Sequence, residues 1–346
     1  MIERVVLVSP RGFCAGVIRA IATVERAIAM FPPPVYVRRA VVHNADVVRR
    51  LATAGAAFVE ELSEVPRGAV VVLGAHGVAA CVRQQASRRG LHVVDATCPL
   101  VAKVHREVTR YLAQGFDVLL VGHAGHDEVV GILGQSGSIQ LVEDITAASR
   151  VQVRRPDRIA CVTQTTLRPE DVRPVIAELR RRFPRLTQPP ADDICYATLN
   201  RQAAVEWLAR AVDLVLVVGD PASSNSHRLV EAAVAIGTRA HLISRSADIR
   251  DAWLTDAQVV GISAGASTPD DLVSAVVQRF RQAGAVVENV SVLEERVTFR
   301  LPSAVASVAL RTPRGKDQTA AGAGVLAPPD GFEPPTPALG RLRSVH

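Results

Sequence analysis

Aromatic residues make up only 4% of this 346-residue chain, so platforms for stacking nucleic-acid bases are scarce. Lysine occurs only at positions 103 and 316. The arginines that carry most of the formal +6 charge are scattered through segments such as RRLATAG and LRRRFPR. Scattered cations read as solvated helix faces, and no nucleic-acid partner is expected. No apolar run approaches the roughly 20 residues of a membrane-spanning helix. DLVLVVG and GAVVVLGAHGV have lengths suited to buried strands, so no membrane partner is expected. Near the N-terminus only a brief apolar run separates Arg4 from Arg11, unlike a secretory signal, and a cytoplasmic location is expected. Cysteine is sparse as well. Its count of five is odd, with no CxxC pair, which points to reduced thiols or metal ligands in place of a disulfide framework.

With 48% apolar and 21% charged residues, the composition is that of a globular protein long enough for two or three domains. β-Branched runs (RVVLVS, PVYVRRAVV, DVLLVG, DLVLVVG, AQVVGISAG) alternate with stretches of helical spacing such as AGVIRAIATVERAIAMF and LVAKVHREVTRYLAQG. That alternation predicts an α/β protein with mainly parallel sheets, whose strands are covered on both faces. Boundaries are placed near 97 and 192, giving lobes at 1–97, 98–191 and 192–302. The segment 303–346, rich in Ala, Gly, Pro and Arg, shows no helix or strand period and is expected to be a disordered tail.

Three cysteines share one setting. Cys14 (SPRGFCAGV), Cys98 (VVDATCPLV) and Cys195 (ADDICYATLNRQ) each stand where a strand-like or turn-like stretch gives way to a helix, each in its own third of the chain. Cys81 and Cys161 lie inside a helix-like and a strand-like stretch and are expected to pack in the core. Thiolates select zinc or an iron-sulfur cluster. A cubane held by three cysteines keeps one iron open, whereas three cysteines and a histidine would close a zinc site, and the residues alone leave both readings open. His43, His76 and His126 each follow a β-type run, at strand ends where open α/β sheets build their sites. Glu128, two residues after His126, is placed to relay a proton. Hydroxyls in TQTT (163–166) and SSNS (223–226), with Ser267 in AGAST, are of the type that cradles phosphate at helix starts. Neither a GxxxxGK[ST] nor an HExxH motif is present, so P-loop NTPase and zincin chemistry are not expected.

Taken together, PRGFCAGV, VVHN, AHGV, DATCPLV, GHDEVVG, TQTT, DDICYATLNRQ, SSNSHRLVE and SAGAST resemble, in order and over about residues 4–300, the 4-hydroxy-3-methylbut-2-enyl diphosphate reductases. These are oxygen-sensitive enzymes that end the non-mevalonate isoprenoid pathway. The resemblance implies three similar α/β lobes around one central 4Fe-4S cluster, with the N-terminal strand joining the third lobe. It implies Cys14, Cys98 and Cys195 as cluster ligands. His43, His76, Ser223, Ser224, Asn225 and Ser267 match its diphosphate-binding positions, and His126, Glu128 and Thr165 match those around the substrate hydroxyl. It also implies reductive dehydroxylation of an allylic diphosphate to isopentenyl and dimethylallyl diphosphates. Because no GxGxxG signature is present, a ferredoxin or flavodoxin is the expected electron donor. Three departures are visible. Ile18 replaces a commonly acidic residue, GAHGV replaces SAHGV, and GHDEVVGILGQ replaces a GHPEVEGTMGQ-like run. A zinc hydrolase and a non-catalytic redox sensor are the rival classes.

Overall fold

The computed structural model describes residues 2–306. Its first strand, β1 (Arg4–Ser9), leads through Cys14 into the helix Ala15–Met30, which buries Val17, Ala20, Val24 and Ala27 on one stripe. Strands β2 (Val35–Arg38), β3 (Ala56–Val59), β4 (Val70–Leu73) and β5 (His92–Asp95) form a sheet in the order β3-β2-β4-β5. Strands β6 (Asp117–Val121), β7 (Gln140–Val142) and β8 (Ile159–Thr163) form a second, β7-β6-β8. The third contains β9 (Leu214–Val218), β10 (Arg239–Ile243), β11 (Val259–Ala264) and β12 (Val286–Ser291) in the order β10-β9-β11-β1-β12.

Every strand pair in the three sheets is parallel. This is the outcome expected of near-continuous apolar strands. β6, β8 and β9 are buried along their whole length, because helices cover both faces and leave no solvated side to select polar alternation. β1 is inserted between β11 and β12, with Arg4 opposite Val259 on one side and Val286 on the other. The parallel arrangement directs many strand-to-helix turns from all three sheets toward one place, which fixes where a site can form.

Two expectations need correction. The tail was expected to be irregular from Ser303, but Ser303–Ala306 is helical, and Val305 is fully buried against the helix Ala15–Met30. Arg26 also donates to the Val305 carbonyl at 3.3 Å. One large apolar side chain and a satisfied carbonyl suffice to order a turn that composition alone places in the tail. Positions 307–346 lie outside the described residues. Cys81, expected in the core, is exposed on the helix Ala80–Arg88, whose buried residues are Val82 and Ala86, whereas Cys161 in β8 is fully buried as expected.

Candidate active site

A cavity of about 100 Å³ is lined by Cys14, Cys98, Cys195, His43, His76, His126, Glu128, Thr165, Ser223, Ser224, Asn225 and Ser267. The structure therefore brings the twelve residues named as cluster, diphosphate and hydroxyl-site candidates to one place. All but Cys195 follow the carboxyl end of a strand: β1 for Cys14, β2 for His43, β4 for His76, β5 for Cys98 and β6 for His126 and Glu128. Thr165 follows β8, Ser223 to Asn225 follow β9, and Ser267 follows β11. Cys195 is reached instead by a loop that leaves a single bridge between Ala160 and Thr187.

Each of the three cysteines is the N-cap of a long helix: Ala15–Met30, Pro99–Ala113 and Tyr196–Ala209. The positive end of a helix favours an anion, so the three thiol positions are suited to thiolate. Their backbones are pinned across the lobes. Cys14 N–H donates to Ala266 O at 3.1 Å, Cys98 N–H to Ala75 O at 2.9 Å and Cys195 N–H to Thr165 O at 3.0 Å. Close approach explains Gly16, where a Cβ would stand 2.6 Å from Cys98 Sγ and 3.8 Å from Cys14 Sγ. Burial raises Cys98 to about 12 and Cys195 to about 11, with the neighbouring thiolates adding to the rise. Two thiols so raised need a cationic centre nearby before they can become thiolates.

The histidines form a compact group. His43 stacks on His76 with centroids 4.1 Å apart, and His126 meets both edge-on at 5.3 and 5.7 Å. Burial lowers all three, His76 well below the usual imidazole range and His126 to about 4. His126 Nδ1 accepts from the Glu128 N–H at 3.2 Å, so the neutral ring carries its proton on Nε2. The Nε2 of His43 and the Nδ2 of Asn225 are buried without hydrogen-bond partners. Asn225 Oδ1 accepts from Ala266 N–H at 2.9 Å, which leaves its amide NH₂ as a free donor. Ser267 Oγ donates to His43 O at 2.8 Å, and Ser224 and Thr166 hydroxyls lie 3.1 Å apart, so the loops converge directly on one another. Unpaired donors beside the N-terminus of the helix Ser224–Ala235 form an anion seat.

Glu128 is 1% exposed. Its Oε1 accepts the Thr165 N–H at 2.8 Å and its Oε2 the Thr165 Oγ1–H at 2.9 Å. Burial pushes the carboxyl up to about 7, outweighing both hydrogen bonds. At neutral pH it can hold or release a proton, as a general acid must.

Sequence reasoning missed two residues. Arg201, 1% exposed, donates twice to Gly12 O (3.0 and 2.8 Å) and to Glu295 at 2.9 Å, tying the Cys14 turn to the helix that follows Cys195. Its signal was its place in DDICYATLNRQ. Asp127, between His126 and Glu128, has its carboxylate 2.6 Å from Arg39 Nη1. Donor atoms of Asp127, His43 and His76 lie within 4.8 Å of one another, as in a metal site, but the Arg39 guanidinium already neutralises that carboxylate. Gly261 to Gly265 matches GxSxG, yet Ser263 is wholly buried within β11 and is no nucleophile elbow.

The LytB protein family model matches residues 5–281. This chain belongs to the LytB family. A curated LytB relative, 4-hydroxy-3-methylbut-2-enyl diphosphate reductase 1 of Mycobacterium bovis, is 50% identical over 315 residues, covering 90% of this chain and 92% of its own. The reductase of Azotobacter vinelandii is 53% identical over 302 residues, covering 86% and 96%. The solved E-1-hydroxy-2-methyl-but-2-enyl-4-diphosphate reductase of Plasmodium falciparum superposes with a TM-score of 0.83 at 32% identity, covering 88% of this chain and 97% of that one. As a LytB fold, the chain thus combines three parallel sheets with a cavity on which turns from all three converge. No helix among the described residues is long and apolar enough to cross a membrane.

Proposed function

We propose that this LytB protein reduces (E)-4-hydroxy-3-methylbut-2-enyl diphosphate to isopentenyl and dimethylallyl diphosphates, consuming two electrons and two protons and releasing water. The observation that carries the reading is one cavity holding three converging thiols, an imidazole-lined anion seat and a buried carboxyl balanced near neutrality. Cys14, Cys98 and Cys195 would hold a 4Fe-4S cluster: their thiols share a helix-capped recess, and no fourth cysteine lines it. When bound, such a cluster supplies electrons and an open iron of Lewis-acid character.

The chain's own residues supply the rest. His43, His76, Ser223, Ser224, Asn225 and Ser267 bind the diphosphate, with the free Asn225 amide and the turn before Ser224 offering donors without any lysine. This end of the substrate fixes the orientation of the other. His126 donates through Nε2. Glu128 carries the proton that converts the leaving hydroxyl to water, and Thr165 Oγ1, hydrogen-bonded to Oε2, passes it on. A ferredoxin or flavodoxin would deliver the electrons, and a cytoplasmic setting suits such donors.

Anaerobic purification, with iron, sulfide and zinc analysis and turnover of the allylic diphosphate under a chemical reductant, tests the proposal. About four irons and four sulfides per chain are expected of a 4Fe-4S protein, together with both products. A colourless zinc protein would overturn the cluster assignment. A brown protein that leaves the substrate unchanged would make it a redox sensor.

A further inference from the structure

Asp127 stands where the resemblance places proline, and it introduces a carboxylate into the wall of the histidine group. Its Oδ2 lies 3.8 Å from His43 Nε2, the ring nitrogen that lacks a hydrogen-bond partner, while Oδ1 pairs with Arg39 Nη1 at 2.6 Å. Arg39 is the one non-glycine residue with positive φ among the described residues, at 54°. A left-handed arginine costs backbone energy, and the ion pair across two lobes offsets that cost. The other groups facing His43 are the rings of His76 and His126 and the more distant carboxylate of Asp220, which is engaged by the Ala45 N–H at 2.8 Å. Among these, Asp127 is the carboxylate within ion-pair reach of the imidazole.

We propose that Asp127 is a positioning residue for the anion seat: anchored by Arg39, it holds His43 as a proton-bearing donor, so that diphosphate binding is coupled to proton uptake at the stacked His43–His76 pair. The proposal rests on reading this pocket as the diphosphate seat. Burial of two stacked imidazoles favours their neutral forms, and the carboxylate and an incoming diphosphate both act in the opposite sense. The carboxylate thereby extends the pH range over which the pair can carry a proton to the ligand. Charge also limits the device, since an unanchored carboxylate would repel the diphosphate. Arg39 supplies the compensation.

The test is calorimetric binding of inorganic pyrophosphate to the cluster-loaded protein between pH 5.5 and 8.5, in buffers of differing ionisation enthalpy, so that proton uptake is counted directly. Asp127→Asn and Asp127→Pro remove the charge. Proline suits the first position of the helix Asp127–Leu133, whose N–H has no helical acceptor. In both variants the pH at which affinity declines should move about one unit toward acid, giving up to about tenfold weaker binding on that slope and near-equal binding below it. Arg39→Gln, which leaves the carboxylate in place and uncompensated, should move the decline toward alkali. Unchanged pH profiles, or tighter binding by the Asp127 variants at every pH, would overturn the coupling while leaving the seat intact. Failure of the wild-type protein to bind pyrophosphate at all would overturn the seat itself, and the coupling with it.

Discussion

Replacing Glu128 by Gln isolates proton delivery from packing. The amide oxygen can still accept the Thr165 N–H now held by Oε1 at 2.8 Å, and the amide NH₂ can donate to Thr165 Oγ1 once that hydroxyl rotates. What disappears is a carboxyl that titrates near 7. Loss of one general acid costs about 100- to 10,000-fold in rate, whereas a carboxylate with only a packing role would cost little. The pH dependence adds a second criterion. With the carboxyl raised to about 7, its protonated fraction falls as pH rises past neutrality, approaching about tenfold per unit well above that value, so wild-type turnover should decline above neutrality. The variant should lack that decline. Wild-type stability should fall with pH as well. A buried carboxyl raised from its unfolded value costs stability as pH rises through the interval from about 4.5 to about 7, by order of 3 kcal/mol once fully ionised. Glu128→Gln should therefore be no less stable than wild type at pH 8. Anaerobic steady-state turnover, normalised to iron and run from pH 6 to 9, is the assay. A rate within about threefold of wild type would refute the acid role, and loss of bound iron would make Glu128 structural.

Cys14→Ser, Cys98→Ser and Cys195→Ser should each lose most bound iron, whereas Cys81→Ala on an exposed helix face and Cys161→Ala within β8 should keep it; iron and sulfide analysis after anaerobic purification decides. Truncation after Ala306 should leave turnover per cluster unchanged. Truncation before Ser303 removes the buried Val305 and should cost about 1.5–3 kcal/mol in denaturant unfolding; equal stability of the two truncations would show that the turn contributes nothing.

The parallel α/β architecture was legible because strands such as DLVLVV and DVLLV have no polar alternation, and only sheets covered on both faces use such runs. The cavity lining was legible for a related reason: its residues sit in strand-to-helix turns or in the first turn of the helix that follows, where Gly, Ser, Asn and His interrupt the apolar pattern. Less could be read where an interaction spans a long stretch of chain. Nothing local in the sequence marks Arg201 as the partner of Gly12 and Glu295, nor Arg39 as the partner of Asp127. Cys81 was misplaced because a thiol on a helix is as compatible with the solvent face as with the core, and Val82 and Ala86 take the inward positions. The order of Ser303–Ala306 depends on a groove built by the first helix, which composition cannot reveal.

The position of β1 has a consequence for how the protein is made. Among the described residues it is the first strand in sequence, yet its neighbours, β11 and β12, are the last two. At about 5–20 residues per second, β1 waits on the order of 15–60 s for its partners. Throughout that interval its run VVLV has no sheet to enter. Such a strand is an aggregation hazard, and a non-local pairing of this kind slows folding. Cys14 follows β1 directly and is tied to Ala266 beyond β11, so the turn that carries it can settle only after the third sheet closes. If these thiols hold the proposed cluster, its loading would have to wait for synthesis of β11 and the Ala266 turn, long after Cys14 itself is made.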